Sequence, residues 1–160
     1  MEQQELFVKM VLDNWYSTVA NTNKLLNSLT DEQLRGDAAP GRNSGIYLLG
    51  HLAAVNDRML PLLGFEDQAY PHYNDIFLAS PDKSGKVMPE AGELRTFWNE
   101  TNAKLEKHFK SLTASEWFQR HTSVSEEDFA KEPHRNRLNV VLGRTTHLSS
   151  HLGQMLYLKK

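Results

Sequence analysis

Two histidines four residues apart, in His147-Leu148-Ser149-Ser150-His151, are the clearest chemical feature of the chain. On a helix that spacing turns both imidazoles to one face, close enough to share one metal ion. With seven histidines in 160 residues, such a pair also arises by chance, so the pair alone is weak. Its neighbours add weight. At 100° per residue, Leu138, Val141, Leu142, Leu152 and Leu156 form a core stripe, and both histidines lie beside it on a flank shared with Val140, Arg144 and Leu158. That flank aims them at the interior of a helical bundle or at its mouth. His51 borders a second apolar arc, Leu48, Val55 and Leu62. An inward histidine on one helix can meet an inward pair on another. Three neutral imidazoles suit Zn²⁺, Ni²⁺ or Fe²⁺ and leave coordination positions open, whereas a closed structural site takes four protein ligands. His72, His108, His121 and His134 have no partner at a telling spacing.

Such a site keeps the full +2 charge of its ion. It would lower the pKa of bound water toward ~7 or hold a bound thiol as thiolate. A small-molecule thiolate could then attack an electrophile; hydroxide would give hydrolysis instead. Ligand histidines must be neutral, so metal affinity is expected to fall below about pH 6. Arg144, three residues before His147, is a candidate partner for a substrate carboxylate. Gln154, three residues after His151, is a candidate for bonding ligand or substrate. Other templates fail. The residue after His147 is Leu148, where a zincin protease needs its glutamate base. There is no phosphate-binding glycine loop, EF-hand loop or GxSxG elbow. Glu126-Glu127-Asp128 reads as a solvated loop rather than a paired-carboxylate site.

The elements that must position these residues are helical. Val8, Leu12, Trp15, Val19 and Leu26 predict a helix over about 4–28. Thr30-Asp31-Glu32-Gln33 is a capping box before a short helical turn, and residues 36–43 are a loop. A second long helix is predicted over 44–63, with Ser44 as N-cap, Gly64 at its end and Pro61 shortening its last turn. Leu94, Phe97, Trp98, Leu105 and Phe109 predict a third over about 89–112. Thr113-Ala114-Ser115-Glu116 caps another short helix, residues 120–136 are charged and irregular, and the last helix covers about 136–157. The long connection 64–89 carries Tyr70, His72, Tyr73 and Phe77 and reads as a crossover strap pinned by aromatics, or alternatively as a lid. No segment alternates like a strand. The chain is expected to be an all-α, four-helix bundle forming one domain over residues 1–160.

Composition narrows the function. Eighteen Lys+Arg against 20 Asp+Glu leave a net charge of −2, which argues against a nucleic-acid footprint, since phosphate binding needs uncompensated cations. With no cysteine, disulfides, thiolate metal sites and a cysteine nucleophile are excluded, so any thiol must come from outside the chain. The polar start Met1-Glu2-Gln3-Gln4-Glu5 lacks the pattern of a signal peptide, and no apolar run approaches membrane-spanning length, so a cytoplasmic protein is expected. Gly143, Thr146, Ser150 and Gly153 form a strip of small residues on the last helix. Glycine costs ~1 kcal/mol in a helix interior, which suggests a close helix contact there, either within the bundle or across a two-fold dimer.

Two segments carry a family resemblance. Gly45-Ile46-Tyr47-Leu48-Leu49-Gly50-His51-Leu52-Ala53 resembles the segment bearing the first metal histidine of the DinB-like (DNA-damage-inducible) superfamily. Arg144-Thr145-Thr146-His147-Leu148-Ser149-Ser150-His151-Leu152-Gly153-Gln154 resembles its closing HxxxH motif followed by Gly-Gln. Phe129-Ala130-Lys131-Glu132-Pro133-His134-Arg135-Asn136 is similar to one branch of the family, and helix order matches over nearly the whole chain. The resemblance implies a DinB-type four-helix bundle, often dimeric, with His51, His147 and His151 holding a divalent metal. It also implies kinship with transferases that use bacillithiol or mycothiol and with a maleylpyruvate isomerase. The expected partners are therefore a small-molecule substrate, a low-molecular-weight thiol and a second copy of the chain, with no nucleic acid and no membrane.

Overall fold

Four long helical segments frame the molecule in the computed structural model, which describes residues 2–159. They are α1 (Gln3–Ser28), the pair α3 (Gly45–Asp57) and α4 (Met59–Leu62), α6 (Ala91–Ser111) and α9 (Arg137–Met155). Short helices fill the connections: α2 (Asp31–Arg35), α5 (Asn74–Phe77), α7 (Ala114–Trp117) and α8 (Glu126–Lys131). Among the described residues there is no β-strand, and no helix is long and apolar enough to cross a membrane. The local signals act as expected. The Thr30 hydroxyl accepts from the Gln33 amide, and a reciprocal box joins Thr113 and Glu116. Ser44 caps α3 through the Tyr47 amide, and Asn136 caps α9 through the Asn139 amide at 2.9 Å.

The predicted helix over 44–63 is broken at Arg58. Pro61 has no N–H to offer the Asp57 carbonyl one turn back, and its ring crowds that position. Gly64 then ends the segment at φ +76°, a left-handed conformation that glycine adopts without steric cost. Residues 120–136 are also more ordered than predicted. Ser125 caps α8, and Glu126, Glu127 and Asp128 fill its first turn, where their charge complements the helix dipole.

The core lies where the four long segments meet. α3 packs chiefly on α6, α1 on α9, and α3 also touches α9. Trp15, Trp98, Trp117, Phe77, Phe97 and Phe109 are buried. Their polar needs are met inside: the Trp98 indole N–H donates to Asn23 Oδ1 at 2.7 Å, and Asn56 donates to Asn102 at 3.0 Å. On α9 the core stripe differs from the predicted one. Leu138 and Val141 are buried, but Leu142 is 43% and Leu156 54% exposed; Thr145, Leu148 and Met155 take their places. The real stripe is rotated about one residue from the hydropathy maximum. Thr145 can enter it because its hydroxyl donates back to the Val141 carbonyl at 2.8 Å.

The connection over residues 63–90 is a strap tied down at both ends of α3. Near one end, buried Asp57 accepts from the amides of Ala69 (3.0 Å) and Tyr70 (2.9 Å). Near the other, Asp82 accepts from the Ser44 amide, and the Tyr47 hydroxyl donates to the Ser80 carbonyl at 2.8 Å. Between them Tyr70 packs on Tyr73 and Tyr73 on Phe77, and both tyrosines pack on Phe97 of α6. The strap is pinned by aromatics, as one of its two readings had it. The Tyr70 phenol donates to Glu100, and this bond pushes its pKa up to about 12.

Candidate metal centre

α3 brings His51 to the face that meets α9, and α9 supplies His147 and His151 one turn apart. The three rings converge on their Nε2 atoms. His147 Nε2 lies 3.2 Å from His51 Nε2 and 3.1 Å from His151 Nε2. One ligand atom from each ring falls within 4.8 Å of the others, so the group could hold a metal ion. Four ligands placed tetrahedrally at Zn–N distances of 2.0–2.1 Å sit about 3.3 Å from one another. The two short separations are close to that edge.

The opposite nitrogens explain why these atoms point inward. The Nδ1–H of His51 donates to the Phe77 carbonyl at 2.8 Å, and the Nδ1–H of His151 donates to Gln154 Oε1 at 2.9 Å. Each bond fixes the tautomer that leaves Nε2 bare, the arrangement metal-ligating histidines share. Two bare nitrogens then face His147 Nε2, and a single proton there can satisfy only one. A cation among them removes the remaining lone-pair repulsion. The donor set fits a divalent ion of borderline softness.

Electrostatics favour the neutral form of two of the rings. Burial, then the neighbouring charges of His151, His51 and Arg144, lower the His147 pKa to about 4. His51 is lowered as well, first by burial; its bond to the Phe77 carbonyl opposes the shift, and His151 and Arg144 reinforce it. The expectation that protons compete for the ligands below about pH 6 therefore moves to lower pH for these two rings.

Of the other predicted residues, Gln154 is in place, holding His151. Arg144 is half-buried near the site, where burial and then the charge of Arg58 lower its pKa. The remaining histidines stand apart from the cluster. His108 does find a partner that its spacing could not reveal: it bonds Glu66 of the strap at 3.0 Å and stacks on Phe65. A groove of about 770 Å³ opens beside the centre, between the loop at residues 38–43 and the end of α9. Arg42, Ser150, Tyr157 and Gln154 line it, so its wall reaches the back of His151 through one side chain.

Two further contributors were not legible as site residues. Phe77 appeared only as one aromatic of the strap, yet its carbonyl holds His51. Gly50 appeared as a residue within the motif; a Cβ there would lie 2.2 Å from the Phe77 ring, so its bareness lets the strap close on α3.

The geometry therefore defines an all-α bundle with a three-histidine cluster between its second and last long segments. The family model of the DinB superfamily matches residues 14–155, and the chain belongs to that superfamily. A search of curated proteins finds no match.

Proposed function

We propose that His51, His147 and His151 bind one divalent metal ion, Zn²⁺ or Ni²⁺ before Fe²⁺, and that the protein is a metal-dependent transferase of a low-molecular-weight thiol to a small electrophile. The observation that carries this reading is the convergence of three Nε2 atoms, two of them held bare by bonds at Nδ1. When bound there, the ion supplies the positive charge that keeps a thiol ionised at neutral pH. The chain's own contribution is positional. Phe77 and Gln154 fix two rings, the buried flank of α9 keeps the third neutral, and three protein ligands leave room for an outside one. No cysteine is present to act as nucleophile, which supports an external thiol over a covalent mechanism. The groove beside Gln154 is the proposed seat of the cosubstrate.

The test is metal content by mass spectrometry on tag-free protein beside His147→Ala, followed by turnover with thiols and electrophiles. About one metal per chain, lost in the variant, with thiol-dependent turnover is the expected result. Turnover of esters or amides without thiol would replace the transferase by a hydrolase at the same site. Metal without any turnover would leave a binding module, and no metal after incubation with Zn²⁺ and Ni²⁺ would end the reading.

The chain is also proposed to form a homodimer. Leu6, Phe7 and Met10 of α1 are exposed, and Phe7 lines a shallow groove with exposed Leu142 of α9. Among the described residues, no side chain or neighbouring element lies within 4 Å of where a Cβ would stand at Gly143 or Gly153. This corrects the idea of a close contact within the bundle and leaves the Gly143 end of the small-residue strip open to a partner.

A further inference from the structure

Half-buried Arg144 stands beside the histidine cluster, exposed Arg58 stands near Arg144, and no acid balances them. α3 and α9 run antiparallel in a constant register. A Cβ on Gly45 would meet Leu158, His51 meets His151 and His147, and the Gly64 position faces the Arg137 guanidinium. In that register Arg58 falls opposite Arg144. Each is also seven residues from a histidine, Arg58 after His51 and Arg144 before His151, which is two helical turns on the same face. Arg58 ends α3, where the break imposed by Pro61 turns the chain, and its charge bears on Arg144.

Neither guanidinium has an ion pair or a protein hydrogen-bond acceptor among the described residues. The nearest acid in sequence, Asp57, is committed to the strap amides of Ala69 and Tyr70. Other arginines find carbonyl acceptors: Arg95 donates to those of Leu26 and Leu29, and Arg120 to that of Val124. Placing one guanidinium half-buried and a second across from it costs desolvation and like-charge repulsion. An anion recovers both, because paired guanidinium forks match the planar oxygens of a carboxylate or phosphate.

We propose that Arg58 and Arg144 form the binding site for an oxyanion group, carboxylate or phosphate, on the small-molecule ligand of the histidine centre. The assignment rests on the reading that this centre takes a small-molecule ligand. It also names the class of that ligand. Arg144 precedes His147 by about 4.5 Å of helix rise, so the charged group and the reacting atom are separated by only a few bonds. The substrate is a compact anionic electrophile, and neutral analogues bind poorly.

The test uses metal-free protein at low ionic strength and pH 7, titrated with succinate and, separately, with inorganic phosphate, and followed by NMR at the arginine Nε–H resonances. At least one probe should give saturable shifts at Arg144. Arg144→Gln should weaken binding at least tenfold and Arg58→Gln at least threefold, with Arg144→Lys in between because it keeps the charge and loses the fork. Arg35→Gln, on α2 and paired with Glu90 away from the centre, should change affinity less than twofold. Saturation by succinate alone identifies a carboxylate, and by phosphate alone a phosphorylated ligand. No saturable shift with either probe, or equal affinity in Arg144→Gln, overturns the proposal. Metal uptake is measured on the same samples. Arg144→Gln should hold as much metal as wild type, and loss of metal in that variant would overturn a role confined to the anion. A wild type that binds anion but no metal would sink the histidine reading and leave the arginine site standing.

Discussion

Gly50→Ala should damage the metal centre without touching a ligand. A Cβ at this position would lie 2.2 Å from Cε1 and Cζ of Phe77 and 2.6 Å from Cδ1, more than 1 Å inside ordinary contact. Phe77 cannot yield cheaply. It is fully buried and wedged between Tyr47 and Tyr73, each with ring centres 5.9 Å away. Overpacking of this kind costs typically 1–3 kcal/mol and occasionally more, and alanine returns about 1 kcal/mol through its better helix propensity. Displacing a pinned aromatic ring by this distance belongs at the upper end, so a net loss of about 2 kcal/mol is expected in urea denaturation of the metal-free protein. The Phe77 carbonyl must move with the ring, loosening the bond that orients His51. Loss of such a supporting bond lowers metal affinity by about 10- to 100-fold, measurable by chelator competition. Gly92→Ala is the control, because nothing lies within 4 Å of its Cβ position. A Gly50→Ala protein within about 0.5 kcal/mol of wild type, with unchanged metal affinity, would refute the coupling of strap to site.

Three other outcomes are expected. The metal-free protein should lose stability as pH falls from about 6.5 toward 4. His147 is neutral when folded, with a pKa of about 4, and takes a proton earlier when unfolded, so its contribution is complete above the unfolded pKa and lost below it. Solvent screening at this half-exposed ring reduces the effect to about 1 kcal/mol, readable as a shift in denaturation midpoint between pH 7 and pH 4.5 that His147→Ala makes smaller, the rest coming from His51. Asp57→Ala should cost about 2–4 kcal/mol, since it strands two strap amides beside a buried position, and it should speed hydrogen exchange at Ala69 and Tyr70. Gly143→Ala should weaken self-association in sedimentation equilibrium while leaving the isolated chain as stable or slightly more so.

The sequence exposed what local chemistry decides. Caps at Thr30, Ser44 and Thr113 and the stripe of α6 follow from near-neighbour rules, and all four lie where predicted. The three histidines were legible because periodicity places each on an inward flank. The α9 stripe was misjudged because a helical wheel weighs side chains by hydropathy, and Leu142 and Leu156 outrank Thr145 on that scale. Only the tertiary contact with α1, together with the bond from Thr145 to Val141, reverses the order. The partners of the site were hidden for a different reason. Phe77 acts through its backbone carbonyl, which every residue has. Arg58 matters through a register between α3 and α9 that no single helix encodes.

With the proposed ion at the centre, the tethering of the strap to α3 would join metal supply to the protein's survival. Because the Phe77 carbonyl is bonded to His51, occupancy of the centre and closure of the strap favour each other, and by linkage each raises the other by the same factor. A chain starved of that ion would open residues 63–90 more often, and an open segment of that length is where proteases cut. Turnover in the cell would then be fastest for empty copies, so the population that persists would be enriched in loaded protein without any dedicated quality-control factor.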